Sequence, residues 1–324
     1  MIAALKPGWS KPSTILFAAE IPVDEKAFSF ALAQAVEFGA RLILFHSYDT
    51  LMVTESENSG VRYYDAAAAA HLELQHLEPL AARVREAGVN CETVLRSGQP
   101  AEQILGFTSE REVDRIVMGT HAPGPIGKLL VGSVAEAVLR SARVPVCIIG
   151  PEVVSGRYHN FTTRTILCGV SLHDSSSMVV GFAAELAAEQ GARLILQHMI
   201  RPQERQELLA GRSIDQIETE MLALVPEELK ANFVVQSIVV SGDPAEELLY
   251  WSSAEQADLI VLGAQGASAF AAVTCQGVVY KMLAHAPCPV MTLSPVVLES
   301  GSAADSAQNE QTQHKREVFL AGVF

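Results

Sequence analysis

A chain in which Gly39-Ala-Arg-Leu-Ile-Leu-Phe-His46 returns as Gly191-Ala-Arg-Leu-Ile-Leu-Gln-His198 reads as one domain made twice. The repetition extends well beyond that segment. Thr14-Ile-Leu answers Thr165-Ile-Leu, and Ser97-Gly-Gln-Pro-Ala-Glu102 answers Ser241-Gly-Asp-Pro-Ala-Glu246. Asp114-Arg-Ile-Val-Met-Gly119 answers Asp258-Leu-Ile-Val-Leu-Gly263, and Val144-Pro-Val146 answers Cys288-Pro-Val290. The spacing is 151 or 152 residues early in the repeat and 144 later, so copy one carries about eight more residues between its second and third strands. Loops and helices change length most freely at such a point. Solenoid repeats run about 20–50 residues, far shorter than this period. Each repeat is the size of a domain with its own core, and 324 residues hold two.

Each copy alternates short apolar runs with longer helical stretches. In copy one the pattern predicts strands near 14–19, 41–46, 90–96, 114–119 and 145–149, and helices near 25–38, 65–87, 100–110 and 132–141. Copy two repeats the strands near 165–170, 193–198, 234–240, 258–263 and 289–293. Runs such as Leu42-Ile-Leu-Phe45 and Leu259-Ile-Val-Leu262 do not alternate with polar residues, which fits strands covered on both faces of a parallel sheet. The helix punctuation agrees. Asp243 can cap a helix with Pro244 at its first position and Glu246 three residues past the cap, while Gln99 opens the matching helix as a poorer cap. Gly39 and Gly191 each close a first helix. Asp24 and Glu25 fall at a helix start, where carboxylates ordinarily cap and complement the dipole. Right-handed crossovers then put helices on both faces of a five-stranded parallel sheet, so a doubly wound α/β domain is expected over residues 13–150 and again over 164–294.

Composition narrows the partners. Hydrophobic residues make up 49% of the chain, ample for two cores. A net charge of −14 argues against a nucleic-acid partner, because phosphate backbones need concentrated Lys and Arg. Five cysteines without metal-ligand spacing point to reduced thiols in the cytosol, and buried, inert thiols are expected for Cys91, Cys147, Cys168 and Cys288. No run approaches 18 uninterrupted apolar residues, so no membrane span is expected. The N-terminus is too short and too interrupted for a signal peptide, which makes the cytoplasm the expected location. Residues 299–324 are expected to be a disordered tail, polar from Glu299 to Arg316 and ending in the apolar Val318-Phe-Leu-Ala-Gly-Val-Phe324.

Ligands of open α/β sheets lie beyond the carboxyl ends of the strands, at the topological switch point. With strand order 3-2-1-4-5 that crevice lies between strands one and four, walled by the loops after Ala19 and after Gly119. The second loop reads Gly119-Thr-His-Ala122, nine further residues, then Gly132-Ser133. It follows the Asp114-Arg-Ile-Val-Met-Gly119 strand and leads into the helix start Gly132-Ser-Val-Ala-Glu136, and the fifth strands are entered through Arg143-Val-Pro-Val146 and Pro287-Cys-Pro-Val290. This ensemble resembles the universal stress protein family, whose nucleotide-binding members carry Gly-x-x-Gly, nine residues, then Gly-Ser or Gly-Thr. The resemblance spans both copies. It implies two tandem flavodoxin-like (adenine-nucleotide alpha hydrolase-like) domains, often dimeric, acting in stress-response regulation or protection rather than turnover.

The resemblance also implies ATP or a related adenine nucleotide in copy one, with magnesium as a candidate companion. Carried over by position, the site would comprise Ala18, Ala19 and Glu20 after strand one and Ser47 after strand two. Met118, Gly119, His121, Ala122 and Lys128 would come from strand four and its loop, and Gly132, Ser133 and Val134 from the next helix start. Glycines let backbone approach phosphate and adopt positive φ, and a helix N-terminus offers unpaired N–H groups. Ala122 stands where the second glycine belongs, at a cost on the order of 1 kcal/mol if that position needs positive φ. Pro123 and Pro125 remove two donors, and Lys128 can offset this as a point charge. Glu20 replaces the aspartate that in the family reaches the adenosine. For copy one, a nucleotide site and a merely structural loop both stand open.

Copy two keeps Gly263 and Gly266 but has Gln276-Gly277 where Gly-Ser is expected, and Ser171 replaces the strand-one aspartate. Ala267–Val273 is nearly uncharged, so a structural loop is the expectation there. Other motifs fail. Ala122 and Leu129 occupy positions that a P-loop needs as glycine and Ser/Thr, and His71 and His76 are five apart on different helix faces. His46 and His198 close strand two in both copies, which suggests a shared structural hydrogen bond. No Gly-x-Ser-x-Gly, His-Glu-x-x-His or Cys-x-x-Cys occurs. Three functions remain: a stress-response module binding nucleotide in copy one, a protein-interaction scaffold without nucleotide, or a weak ATPase or phosphotransfer enzyme. The expected partner is the chain itself, as a pseudo-dimer or homodimer through the apolar fifth strands Val144–Ile149 and Pro289–Leu293, which would otherwise be bare sheet edges. A further protein partner is left open; no membrane is expected.

Overall fold

The structure, a computed structural model, describes residues 9–48, 54–55, 62–63, 66–120, 132–154, 162–172, 176–200, 202–263 and 277–294. Copy one runs β1 (Thr14–Ala18), α1 (Glu25–Phe38), β2 (Arg41–Tyr48), a small antiparallel pair β3 (Thr54–Glu55) and β4 (Arg62–Tyr63), α2 (Ala66–Glu86), β5 (Cys91–Ser97), α3 (Pro100–Glu110), β6 (Arg115–Gly119), α4 (Ser133–Ser141) and β7 (Val146–Ile149). Copy two runs β8 (Thr165–Val170), α5 (Ser176–Gln190), β9 (Arg193–Met199), α6 (Pro202–Leu209), α7 (Ile214–Ala223), a 3₁₀ turn (Glu227–Leu229), β10 (Val235–Val240), α8 (Pro244–Ala254), β11 (Leu259–Gly263), α9 (Val278–His285) and β12 (Val290–Leu293). The length difference between the copies falls between the second and third strands, where copy one has the β3–β4 pair and α2 and copy two has α6, α7 and the turn. The β3–β4 pair and the α6–α7 split do not follow from the apolar pattern.

The strands form one sheet in the order β10-β9-β8-β11-β12-β7-β6-β1-β2-β5. Each half is the expected 3-2-1-4-5, parallel throughout. The halves meet through their fifth strands, which pair antiparallel with Val290 opposite Ile148 and Thr292 opposite Val146. The contact is made within one chain, as a pseudo-dimer about an approximate twofold. Side chains alternate between faces along each strand. Ile15, Phe17, Leu42 and Leu44 pack under α1 and α2, while Leu16, Ile43 and Phe45 pack on the opposite face with α3 and α4 residues.

Local chemistry explains the element ends. Asp24 Oδ1 accepts from the N–H groups of Lys26 (2.9 Å) and Ala27 (3.2 Å), and Asp243 Oδ1 accepts from those of Ala245 and Glu246 (both 3.1 Å). Gln99 makes no side-chain cap bond, as a poorer cap should. Gly39 and Gly191 end their helices at φ values of 62° and 61°, where a β-carbon would be strained. The aspartate of the repeated Asp-x-Ile-Val motif is structural. Asp114 Oδ2 accepts from the Ser13 and Thr14 N–H groups at 2.9 and 3.1 Å, and Asp258 Oδ2 does the same for Arg164 and Thr165.

Beside the fifth strands the copies share a polar seam. Thr292 Oγ1 donates to the Val146 carbonyl (3.2 Å), Lys11 pairs with Glu189 (3.2 Å), and Gln190 Nε2 donates to Glu37 Oε2 (3.1 Å). Arg115, fully buried, donates to the Trp9 carbonyl (2.8 Å) and to Gln34 Oε1. Cys147, Cys168 and Cys288 are buried, and burial pushes Cys147 and Cys168 up to about 12. Cys91 departs from expectation in being only half-buried, because β5 is an outer strand. The tail at 299–324 lies outside the described residues.

Candidate functional site

A cleft of about 250 Å³ opens at the carboxyl ends of β1 and β6, the switch point of copy one. It gathers most of the residues that the loops suggested. Ala18, Ala19 and Glu20 come from the end of β1, Ser47 from β2, and Met118 and Gly119 from β6. Gly132, Ser133 and Val134 form the opposite wall at the start of α4. His121, Ala122 and Lys128 lie outside the described residues, as do Pro123 and Pro125.

The α4 wall presents the start of a helix. Gly132 is the N-cap and offers no side-chain cap bond, so the first-turn N–H groups of Ser133, Val134 and Ala135 have no side-chain acceptor from it. Its own φ is −57°, which any residue adopts, and a β-carbon there would meet nothing within 4 Å. Neither backbone conformation nor packing among the described residues requires a glycine at this spot. Gly119 has a different reason. It is absent from the positive-φ residues, yet a β-carbon on it would fall 2.6 Å from Asp24 Oδ2. The expectation that glycines here supply positive φ is therefore replaced by one of space, held by a carboxylate at Gly119 and left open at Gly132.

The lining also includes Glu20 and Asp24, so acidic side chains and the start of a helix border the same cleft. Ser47 Oγ donates to the Gly98 carbonyl (2.7 Å), tying β2 to β5 at the rim. His46 lines the cleft and Nδ1 donates to the Ala19 carbonyl (2.8 Å), the hydrogen bond expected of it; His198 makes the same bond to Val170 (2.8 Å). Residues that the loops did not suggest are Phe17, Asp24, Phe45, His46, Pro100, Ile104 and Ala135. Pro100 and Ile104 are one helical turn apart on α3, so i,i+4 spacing beside a strand end was the available signal.

In copy two the end of the first strand is closely packed. A β-carbon on Gly169, the counterpart of Ala18, would lie 2.7 Å from Leu262 Cδ2 and 3.6 Å from Leu248 Cδ2. Ser171 Oγ is 3.2 Å from Ser176 Oγ, and Gly277 is the N-cap of α9, in the place that Ser133 holds by the repeat spacing. Among the described residues no group of three or more His, Cys, Asp or Glu could hold a metal ion. No described helix is long and apolar enough to cross a membrane.

Comparison with known proteins agrees with this architecture. The family model of the universal stress protein family matches residues 12–150 and 162–294. A universal stress protein of Thermus aquaticus is 30% identical over 125 residues, covering 39% of this chain and 88% of that protein. Universal stress protein YxiE of Bacillus subtilis is 29% identical over 134 residues, covering 39% of this chain and 90% of its own length. Each therefore corresponds to about one copy. The crystal structure of a universal stress protein from Archaeoglobus fulgidus overlays with a TM-score of 0.67 at 17% identity, covering 88% of this chain and 97% of the other, a likeness of fold.

Proposed function

Because the chain belongs to the universal stress protein family, we propose that it is a cytoplasmic stress-response regulatory or protective module whose first copy binds ATP or a related adenine nucleotide. The observation that carries this reading is the glycine at position 132, which caps α4 without a side chain, so that no cap side chain covers the helix N–H groups and a β-carbon there would meet nothing within 4 Å. Phosphate would take that wall, where the dipole and donors favour an anion. The hydroxyl-bearing adenosine would take the other, where Glu20 accepts hydrogen bonds and repels phosphate. Any magnesium would arrive with the phosphates.

Occupancy is read out as a change of conformation or assembly. Supporting this, α4 lines the cleft with its first turn and reaches copy two farther along, where Glu136 and Arg140 neighbour Tyr280 of α9. Copy two, with leucines over Gly169, serves as the scaffold half. Calorimetry with ATP on the wild type, Gly132→Val and Gly277→Val tests the assignment. Wild type and Gly277→Val should bind alike, and Gly132→Val should lose at least about tenfold, or 1.4 kcal/mol. Equal loss in both variants, or no heat with the wild type, overturns it.

A further inference from the structure

Both copies bind the strand-two histidine in the same manner. His46 Nδ1 donates to the Ala19 carbonyl, and Nε2 lies 3.4 Å from Glu73 Oε2. His198 Nδ1 donates to the Val170 carbonyl, and Nε2 lies 2.9 Å from Glu204 Oε2. The two carboxylates come from different elements, α2 in copy one and α6 in copy two. An arrangement reached by two unlike helices belongs to the histidine's place in the fold rather than to the packing of one helix. The proton positions follow from the partners. A carbonyl oxygen only accepts, so Nδ1 must carry hydrogen, and Nε2 is the nitrogen whose proton can come and go.

The copies differ in access. The His198 and Glu204 side chains are 1% and 2% exposed, whereas those of His46 and Glu73 are 10% and 20% exposed and His46 borders the cleft. Ala19 is held at both ends, its N–H donating to the Phe45 carbonyl (2.8 Å) and its own carbonyl taking His46. The peptide unit from Ala19 to Glu20 is thereby oriented by the ring, and Glu20 enters the cleft from that peptide. Among the described residues, the charged groups around His46 are Glu73 from α2 and, bordering the same cleft, Glu20 and Asp24. Leu95 of β5 lies beside it in the sheet, and α3 contributes Pro100 and Ile104; none of these titrates. A proton on Nε2 draws Glu73 inward and makes Nδ1 a stronger donor to Ala19. Its loss weakens that donor and leaves a carboxylate facing a lone pair.

We propose that Glu73 and His46 are a positioning pair that sets the Ala19–Glu20 turn and makes the ligand affinity of the copy-one cleft depend on the charge of the ring. Glu204 and His198 hold the same device closed in copy two. The pair rests on the nucleotide reading only for the identity of the ligand. Two measurements on the full chain separate the ideas. In the first, the Glu20 amide and the His46 ring are followed by NMR without ligand over the pH range in which the ring itself is seen to change charge. The Glu20 amide should move in step with the ring, with a smaller excursion in Glu73→Gln and an unchanged one in Glu204→Gln. His46→Asn, which retains a donor toward Ala19 but cannot titrate, should flatten the trace. In the second, ATP affinity should change about fivefold across that range in the wild type and stay level in His46→Asn. A Glu20 amide indifferent to the ring overturns the positioning pair, whatever ATP does. An amide that follows the ring in a protein without ATP affinity leaves the pair standing and overturns the nucleotide reading. The same pH dependence of affinity in wild type and His46→Asn overturns the coupling to ligand.

Discussion

The Asp24 carboxylate lies over the bare α-carbon of Gly119, with Oδ2 2.6 Å and Cβ 3.1 Å from where a β-carbon on that glycine would stand. Asp24 also caps α1, so one side chain joins the start of the first helix to the end of the fourth strand of copy one. Gly119→Ala should push the carboxylate off its cap and cost about 1–2 kcal/mol, as losing a good N-cap does. Asp24→Ala should cost a similar amount. In thermal melts the double variant should cost less than the two singles summed, because they break one arrangement. Strict additivity would count against the linkage.

The seam between the copies should weaken as pH rises. Glu37 of α1 is half-buried, and burial raises its carboxyl to about 7 against the opposing pull of Arg115 and of the hydrogen bond from Gln190. Burial raises Glu185 as well. The folded value exceeds the unfolded one, so folding takes up a proton. This contribution is complete below the unfolded value and is lost as pH climbs through about 7. Glu37→Gln should shrink the dependence, leaving the part due to Glu185, and exceed the wild type at about pH 8 by on the order of 1 kcal/mol, a figure discounted for solvent screening. Urea midpoints at about pH 5.5 and 8 decide the matter. Parallel profiles for the two proteins would refute it.

Gly150 and Gly132 should respond in opposite ways to alanine. A β-carbon on Gly150, just past β7, would press into the backbone carbonyl oxygen of Leu283 in α9 of the other copy. Backbone cannot swing aside as a side chain does, so Gly150→Ala should cost about 1–3 kcal/mol. Gly132→Ala, with open space around it, should leave the melting temperature within about 2 °C of the wild type. Calorimetric melting of both tests the contrast, and equal destabilisation would contradict it.

Gln197 should be improvable. Its side chain is buried, and neither amide atom has a hydrogen-bond partner among the described residues; nor has Trp251 Nε1, also buried. These two hold the places of Phe45 and Phe107, whose rings lie 5.3 Å apart in copy one. Gln197→Leu removes the unpaired amide and should stabilise by about 1–2 kcal/mol. A destabilised variant in urea titration would show that the amide is satisfied in solution.

What the sequence made legible follows from what is local. The duplication, the ten strands of the main sheet, the caps at Asp24 and Asp243 and the closing glycines are written in neighbouring residues. The floor of the cleft was legible too, because strand order brings Ala19 and Gly119 side by side. What escaped is long-range. Nothing near Glu73 in sequence indicates His46, and nothing near Gly119 indicates Asp24. Nor does the strand motif that gives Arg115 suggest a fully buried guanidinium, since its acceptors are Gln34 and the Trp9 carbonyl, far away in the chain.

The antiparallel meeting of β7 and β12 inside one chain has a consequence for divergence. In a homodimer about the same axis, every substitution appears twice and must be tolerated on both sides. Fusion lifts that constraint. Arg115 can reach the seam in one half while Leu259 holds its place in the other, and Phe45 can face the open cleft while Gln197 is buried. Joined by a peptide, the halves also meet at any dilution, so the partnership cannot be lost to falling concentration or exchanged for a relative's half.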